Sequence, residues 1–251
     1  MNNLIALLLC FVVGFIIFIG ALIAFKVKNK QKLLDFSIAL ALSVLLTLGF
    51  IEILPESFEL ISSKLSKPYS YITVFLLALF GIIVLKLLDK FVPDHSNEGK
   101  SSKKVFAHIA IVTSLAVFLH NIIEGMALYS AFIVSFKTGV IFSLGIAFHN
   151  IALGLAISTE FYESNNDKKK TLLLMFILAI ATFIGAIFML LFNIVIESNF
   201  ILGIVLSITL GMILYIVFFE LLMMFINSKN KRISALGFIV GILLMIITSC
   251  V

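Results

Sequence analysis

Eight long apolar runs constrain this chain more than any other feature. They lie at roughly 3–25, 33–57, 69–88, 105–135, 138–160, 171–196, 200–227 and 233–250. A helix needs about 20 mostly apolar residues to cross the hydrocarbon core of a bilayer, and each run is close to that length. Of the 251 residues, 62% are hydrophobic and 12% charged. A soluble domain is about half apolar and a quarter charged. A mean hydropathy of +1.25 leaves too little polar surface for a water-soluble fold. The composition therefore excludes a soluble enzyme, a nucleic-acid-binding module and a disordered chain. The expectation is an all-α integral membrane protein of eight transmembrane helices, forming one domain over residues 1–251 and using lipid as its solvent.

The net charge of +5 does not argue for a nucleic-acid partner, because its distribution has a topological reading. Lys26, Lys28, Lys30 and Lys32 follow the first run, and Lys86, Lys90, Lys100, Lys103 and Lys104 surround the loop after the third. Lys168, Lys169 and Lys170 follow the fifth, and Lys229, Lys231 and Arg232 the seventh. These fifteen fall on one side of the bundle, against Lys64, Lys67 and Lys137 on the other. The positive-inside rule assigns the richer side to the cytoplasm, so both termini face outward in a multi-pass protein of the cell membrane. The sizeable polar stretch, 89–104, is then a cytoplasmic loop. Its Asp94, His95 and Glu98 are too sparse to define a metal sensor. Met1-Asn2-Asn3 lacks a basic leader region, so the first run reads as a membrane helix. Cys10 and Cys250 lie in apolar runs and read as small buried hydrophobes.

An ionisable residue deep in a membrane helix is costly and marks function by default. The fourth run carries His120-Asn121-Ile122-Ile123-Glu124-Gly125, and the fifth carries His149-Asn150-Ile151-Ala152-Leu153-Gly154. Over nine residues the two stretches share five identities, 29 positions apart. A short turn joins the runs, so they pack antiparallel and bring both histidines to similar depth. His120 and Glu124 are four apart and share a helix face. With His149 they offer two imidazoles and a carboxylate, a donor set suited to Zn²⁺, Fe²⁺, Mn²⁺, Co²⁺ or Cd²⁺. Asn121 and Asn150 add amide oxygens one residue on. The plainer alternative is hydrogen bonding between helices, which serves one intramembrane histidine well and two His-Asn pairs with a glutamate poorly.

Three further acids line a plausible cation path. Glu52 and Glu56 end the second run toward the outside, where interfacial solvation is the simpler reading. Glu220 lies in the seventh run toward the cytosol. Asp35 and Asp89, at run ends near lysines, read as solvated. His108 lies 12 residues before His120, about 120° around the helix, so it does not face the same site and reads as interfacial.

The paired His-Asn motif, Glu52-Ile53-Leu54-Pro55-Glu56, the acidic seventh run and the eight-run plan resemble the ZIP (Zrt/Irt-like) family of divalent metal transporters, over essentially the whole chain. The resemblance implies a 3+2+3 bundle in which runs 1–3 and 6–8 are inverted repeats around runs 4 and 5. It implies import of divalent metal, zinc foremost, with no prosthetic group. It casts His120, Glu124 and His149 as primary ligands, Asn121 and Asn150 as lining an adjacent site, and Glu220 as an inner pathway acid. It also admits a homodimer. Two positions depart from the pattern. Leu153 stands where the family usually has a second glutamate, and Thr182 where many members have an acid. One core metal rather than two follows. A metal-binding chain that does not transport stays open as an alternative, as does an intramembrane metalloenzyme, although no His-Glu-x-x-His motif is present.

Overall fold

The computed structural model describes residues 3–90, 102–134, 136–196 and 199–249. Helices α1 (Asn3–Phe15) and α2 (Ile17–Lys26) are nearly continuous, interrupted at Ile16. Helix α3 (Lys30–Thr47) passes through a π-helical turn, Leu48–Ile53, into α4 (Leu54–Ser62). Then come α5 (Lys67–Asp89), α6 (Ser102–Val134), α7 (Phe136–Asn165) and α8 (Lys168–Ile196). Helix α9 (Asn199–Tyr215) runs through a second π turn, Ile216–Leu221, into α10 (Leu222–Ile226), and α11 (Lys231–Ser249) follows. No strand occurs among the described residues. Seven of these helical stretches are long and apolar enough to cross a membrane, from Asn3–Lys26 to Phe200–Ile226. Helix α11, of 19 residues, packs along α3.

The helix starts are written locally. Asn29 precedes α3, and its side-chain oxygen accepts from the Lys32 amide at 3.1 Å. Asp167 does the same for α8, accepting from the amides of Lys169 and Lys170. Both satisfy donors that a first helical turn leaves unpaired. Pro68 stands in the first turn of α5, where its missing N–H costs nothing. Pro55 follows the first π turn and cannot donate to the carbonyl one turn back, which favours a widened register there. The second π turn contains no proline, and nothing in its local sequence accounts for it.

Large apolar side chains face outward in number. Phe75, Leu76, Leu173, Leu191 and Phe219 are each more than half exposed. A surface of this kind fits hydrocarbon rather than water. Inside, two crossings set the spacing of the bundle. Where α6 meets α8, a Cβ on Gly125 would strike the Thr182 carbonyl, and one on Gly185 would strike that of Ile122. Where α2 meets α7, Gly154 rests on the Ile17 carbonyl and Gly20 on that of Ile151. Backbone-to-backbone approach of this sort is how membrane helices pack without a hydrophobic driving force. The α6–α7 pair is the centre of the bundle. Helix α8 lies on α6 and α2 on α7, while α5 pairs with α9 and α3 with α11.

Two sequence expectations are corrected here. Asp35 is buried rather than solvated, at 3% exposure. Its carboxylate accepts from the backbone and side-chain nitrogens of Asn230, at 3.0 and 2.6 Å, and from Gln31 Nε2 at 3.1 Å. Asp35 thereby ties the start of α3 to the turn before α11, a partner 195 residues away that spacing could not reveal. Asp89 is paired rather than simply solvated: its side chain is 19% exposed, and its Oδ1 lies 2.7 Å from Nε2 of His108, itself 17% exposed. Cys10 is buried with a free thiol, while Cys250 and the His95 loop lie outside the described residues.

Candidate metal centre

The repeated His-Asn motif falls on the two central helices. His120 and Glu124 are one turn apart on α6, with His120 Nε2 3.7 Å from Glu124 Oε1. His149 comes across from α7, and its Nε2 lies 2.6 Å from the same oxygen. The imidazole centroids are 5.9 Å apart. One ligand atom from each residue fits within 4.8 Å of the others, a spacing able to hold a metal ion. All three residues are buried. His120 makes no hydrogen bond through either nitrogen, and Glu124 Oε2 has no partner. Buried polar atoms are normally satisfied. Helix-to-helix hydrogen bonding therefore accounts for the His149–Glu124 contact and leaves His120 and Glu124 Oε2 unexplained.

The flanking asparagines behave differently from each other. Both are fully buried. Asn121 Nδ2 donates to the Leu178 carbonyl at 3.0 Å, across the α6–α8 crossing, and its Oδ1 is unpartnered. Asn150 makes no well-formed hydrogen bond through either side-chain atom, but its amide lies close to the Glu124 carboxylate. Thr182, also on α8, is buried with an unpartnered hydroxyl. Leu153 lies four residues after His149, the offset that separates Glu124 from His120, and is sealed in the apolar core. The cluster consequently has a single carboxylate.

Glu52 and Glu56 reach the same space. A cavity of about 490 Å³ is lined by Glu52, Glu56, His120, Glu124 and His149, with apolar walls including Ile123, Phe142 and Leu206. Glu56 is exposed at its mouth, in the first turn of α4. Glu220 is not part of it. That residue lines a second cavity of about 500 Å³ with Asp35, Met223, Asn227 and Lys229. It also approaches Asp89 and His108 closely enough for the three to form a second group of potential ligands. One buried acid escaped the sequence reading. The fifth apolar run ends at Glu160, whereas α7 continues through Asn165 and Glu160 is buried. A carboxylate eleven residues past a candidate ligand, on the same helix, is the signal that points to it.

An α-helical membrane bundle with a buried His/Glu centre and further acids in two separate cavities is the plan of a divalent-cation carrier. A family model described as ZIP zinc transporter matches residues 93–249. Over 99% of its length the chain is 32% identical to the zinc transporter ZupT of Clostridium perfringens, covering 96% of that protein. It is 32% identical to ZupT of Akkermansia muciniphila over 97% of the chain and 96% of the relative. The corresponding figures for ZupT of Streptococcus mutans are 30%, 92% and 90%. The chain belongs to the ZIP family and is a multi-pass membrane protein.

Proposed function

We propose that this chain imports divalent cations, zinc foremost, into the cytosol through the His120–Glu124–His149 centre. One observation carries the reading: three buried ligand atoms lie within 4.8 Å of one another, in the wall of a cavity that the exposed Glu56 also lines. Two neutral imidazoles and a carboxylate make a tridentate N/O set that zinc accepts readily. Glu56 and Glu52 recruit the ion outside. His120, Glu124 and His149 replace its water, with the amide oxygen of Asn150 beside them and Asn121 holding α6 to α8. Glu220 receives it on the inner side. One carboxylate at the centre favours one ion rather than two. The relatives' names as zinc transporters support zinc as the cargo, with Fe²⁺, Mn²⁺, Co²⁺ and Cd²⁺ as chemically acceptable alternatives.

The architecture proposed is a single domain of eight spans in a 3+2+3 order, with termini outside. Three observations support the inverted repeat. The α2–α7 crossing is mirrored by α8–α6, each through a pair of glycines. The α3–α11 pairing is mirrored by α9–α5. Both second helices of the two triplets carry a π turn.

The test is uptake into proteoliposomes supplied externally with each of the five metals, against His120→Ala and Glu124→Ala. Zinc accumulation that falls at least tenfold in both variants supports the reading. Accumulation unchanged in both overturns it. Zinc bound by the wild-type protein without any accumulation favours the binder, a reading for which Leu153 is the motive.

A further inference from the structure

Helices α2 and α8 meet along an aromatic seam on the lipid-facing side of the bundle. At one end Phe15 stacks on Phe18, ring centroids 5.3 Å apart, and Phe176 of α8 meets Phe15 edge-on at 5.8 Å. At the lysine-rich end Lys168 of α8 carries its Nζ over the Phe25 ring, 5.6 Å from the centroid. Phe25 in turn packs against Tyr162 of α7. Phe18, Leu22 and Phe25 are four and three residues apart, so they share the face of α2 that borders α8. Lys169, Leu173 and Phe176 have the same spacing and share a face of α8. Leu22 and Leu173, one on each wall, are more than half exposed. Each wall is therefore apolar along its length and ends in an ammonium. Lys26 closes α2, Lys168, Lys169 and Lys170 open α8, and all four are exposed.

Membrane topology asks only that these lysines lie on one side of the bilayer. It does not ask that Lys26 and Lys168, 142 positions apart, converge at the end of one apolar seam. The acids of the α7–α8 turn do not neutralise them. Asp167 already accepts through Oδ1 from the amides of Lys169 and Lys170, and Glu163 is half-buried. Among the described residues none of the four lysines is ion-paired with an acid. A lysine stem lies along apolar surface while its ammonium reaches the level of the lipid headgroups. Basic clusters in this position attract anionic headgroups.

We propose that the α2–α8 seam binds one anionic phospholipid, an acyl chain lying between Leu22 and Leu173 and the phosphate held by Lys26, Lys168 and Lys169. The occupant is a lipid rather than a free phosphate because the seam walls need an apolar cover as much as the ammoniums need an anion. Helix α2 is seated on α7, which carries His149, and α8 on α6, which carries His120 and Glu124, each through its pair of glycines. A lipid held here therefore bridges the two locked helix pairs at their lysine-rich end. The proposal requires that the chain spans a membrane; it does not require the transport reading above.

The experiment counts lipid bound to the full chain in detergent micelles by native mass spectrometry, titrating phosphatidylglycerol against phosphatidylcholine with the same acyl chains. Wild type is expected to hold one phosphatidylglycerol at least tenfold more tightly than phosphatidylcholine. Two variants remove equal charge from the same side: Lys26→Gln with Lys168→Gln and Lys169→Gln, and Lys229→Gln with Lys231→Gln and Arg232→Gln. Only the first should lose the preference, with melting temperatures unchanged in both as proof of folding. Leu22→Ala with Leu173→Ala keeps every charge and should weaken phosphatidylglycerol at least threefold. Millimolar glycerol phosphate should not displace the lipid. No preference in wild type, or equal loss in the two charge variants, overturns the proposal in favour of a diffuse basic surface. Unchanged binding in the leucine variant, or displacement by glycerol phosphate, overturns it in favour of a free-anion site.

Discussion

Glu52 and Glu220 occupy the same place in their two π-helical turns, the fifth of six residues in Leu48–Ile53 and in Ile216–Leu221. Each turn interrupts a long helix, and each acid lines a different cavity. A π turn re-aims side chains and recurs at functional positions. Here it directs one carboxylate toward the cavity of the His120–Glu124–His149 centre and its counterpart toward the second cavity.

The first prediction follows from that placement. Glu52→Gln keeps the shape and removes the charge that draws a cation toward the centre. Zinc uptake should then show a KM raised about three- to tenfold with a nearly unchanged maximal rate, since recruitment precedes the conformational step. Glu220→Gln should lower the maximal rate and leave KM nearly alone. Initial-rate kinetics in proteoliposomes separate the two, and a reversed pattern would reject the assignment of sides.

Leu153→Glu restores at position 153 the carboxylate offset already present between His120 and Glu124. Burying an uncompensated carboxylate in the apolar core is costly, so the metal-free variant should melt several degrees below wild type. Zinc should recover that loss and bind at least tenfold more tightly, because a second charge reaches the ion. Melting curves with and without zinc, together with a binding isotherm, check both halves.

Gly125→Ala places a methyl group against the Thr182 carbonyl, which is backbone and cannot rotate away. Overpacking of this kind costs about 1–3 kcal/mol. The expected result is a lower melting temperature and weakened zinc binding, as α6 is pushed off α8 one residue from Glu124. Ala127→Gly, on the cavity wall of the same helix, serves as a control and should leave binding within twofold.

Asp35→Ala removes the acceptor of three hydrogen bonds, two of them from Asn230. Leaving part-buried donors unsatisfied costs about 1 kcal/mol or somewhat more. Thermal stability should drop accordingly while zinc still binds at the centre, which equilibrium dialysis would report.

The central cluster was legible because its information is local. His120 and Glu124 are one turn apart, and His149 belongs to a motif that copies theirs. Helix–turn–helix geometry was then enough to bring the three together. Glu52 and Glu56 were legible for the same reason, being one turn apart at the end of a run. The inner group was not. Asp89, His108 and Glu220 come from three different helical stretches, and no spacing rule links them. Counting turns from His120 said only that His108 looks elsewhere. That is correct, and it gives no hint that elsewhere holds Asp89. Asp35 failed in the same way, since its partner Asn230 is near the other end of the chain. Glu160 is hidden because the apolar run stops there while α7 goes on for five residues.

The glycine crossings also determine how this bundle can move. With Gly125 seated on Thr182 and Gly185 seated on Ile122, α6 and α8 meet backbone to backbone, and neither can slip along the other without driving a neighbouring Cβ into a carbonyl. Gly154 and Gly20 impose the same restriction on α7 and α2. Each pair therefore travels as a rigid unit, and the Asn121–Leu178 hydrogen bond pins one of them further. Any opening of the centre toward the other side of the membrane has to be absorbed where contacts are side chain on side chain. The yielding surface is the aliphatic and aromatic wall of the cavity beside the centre, and bulk added there should arrest the carrier without touching a ligand.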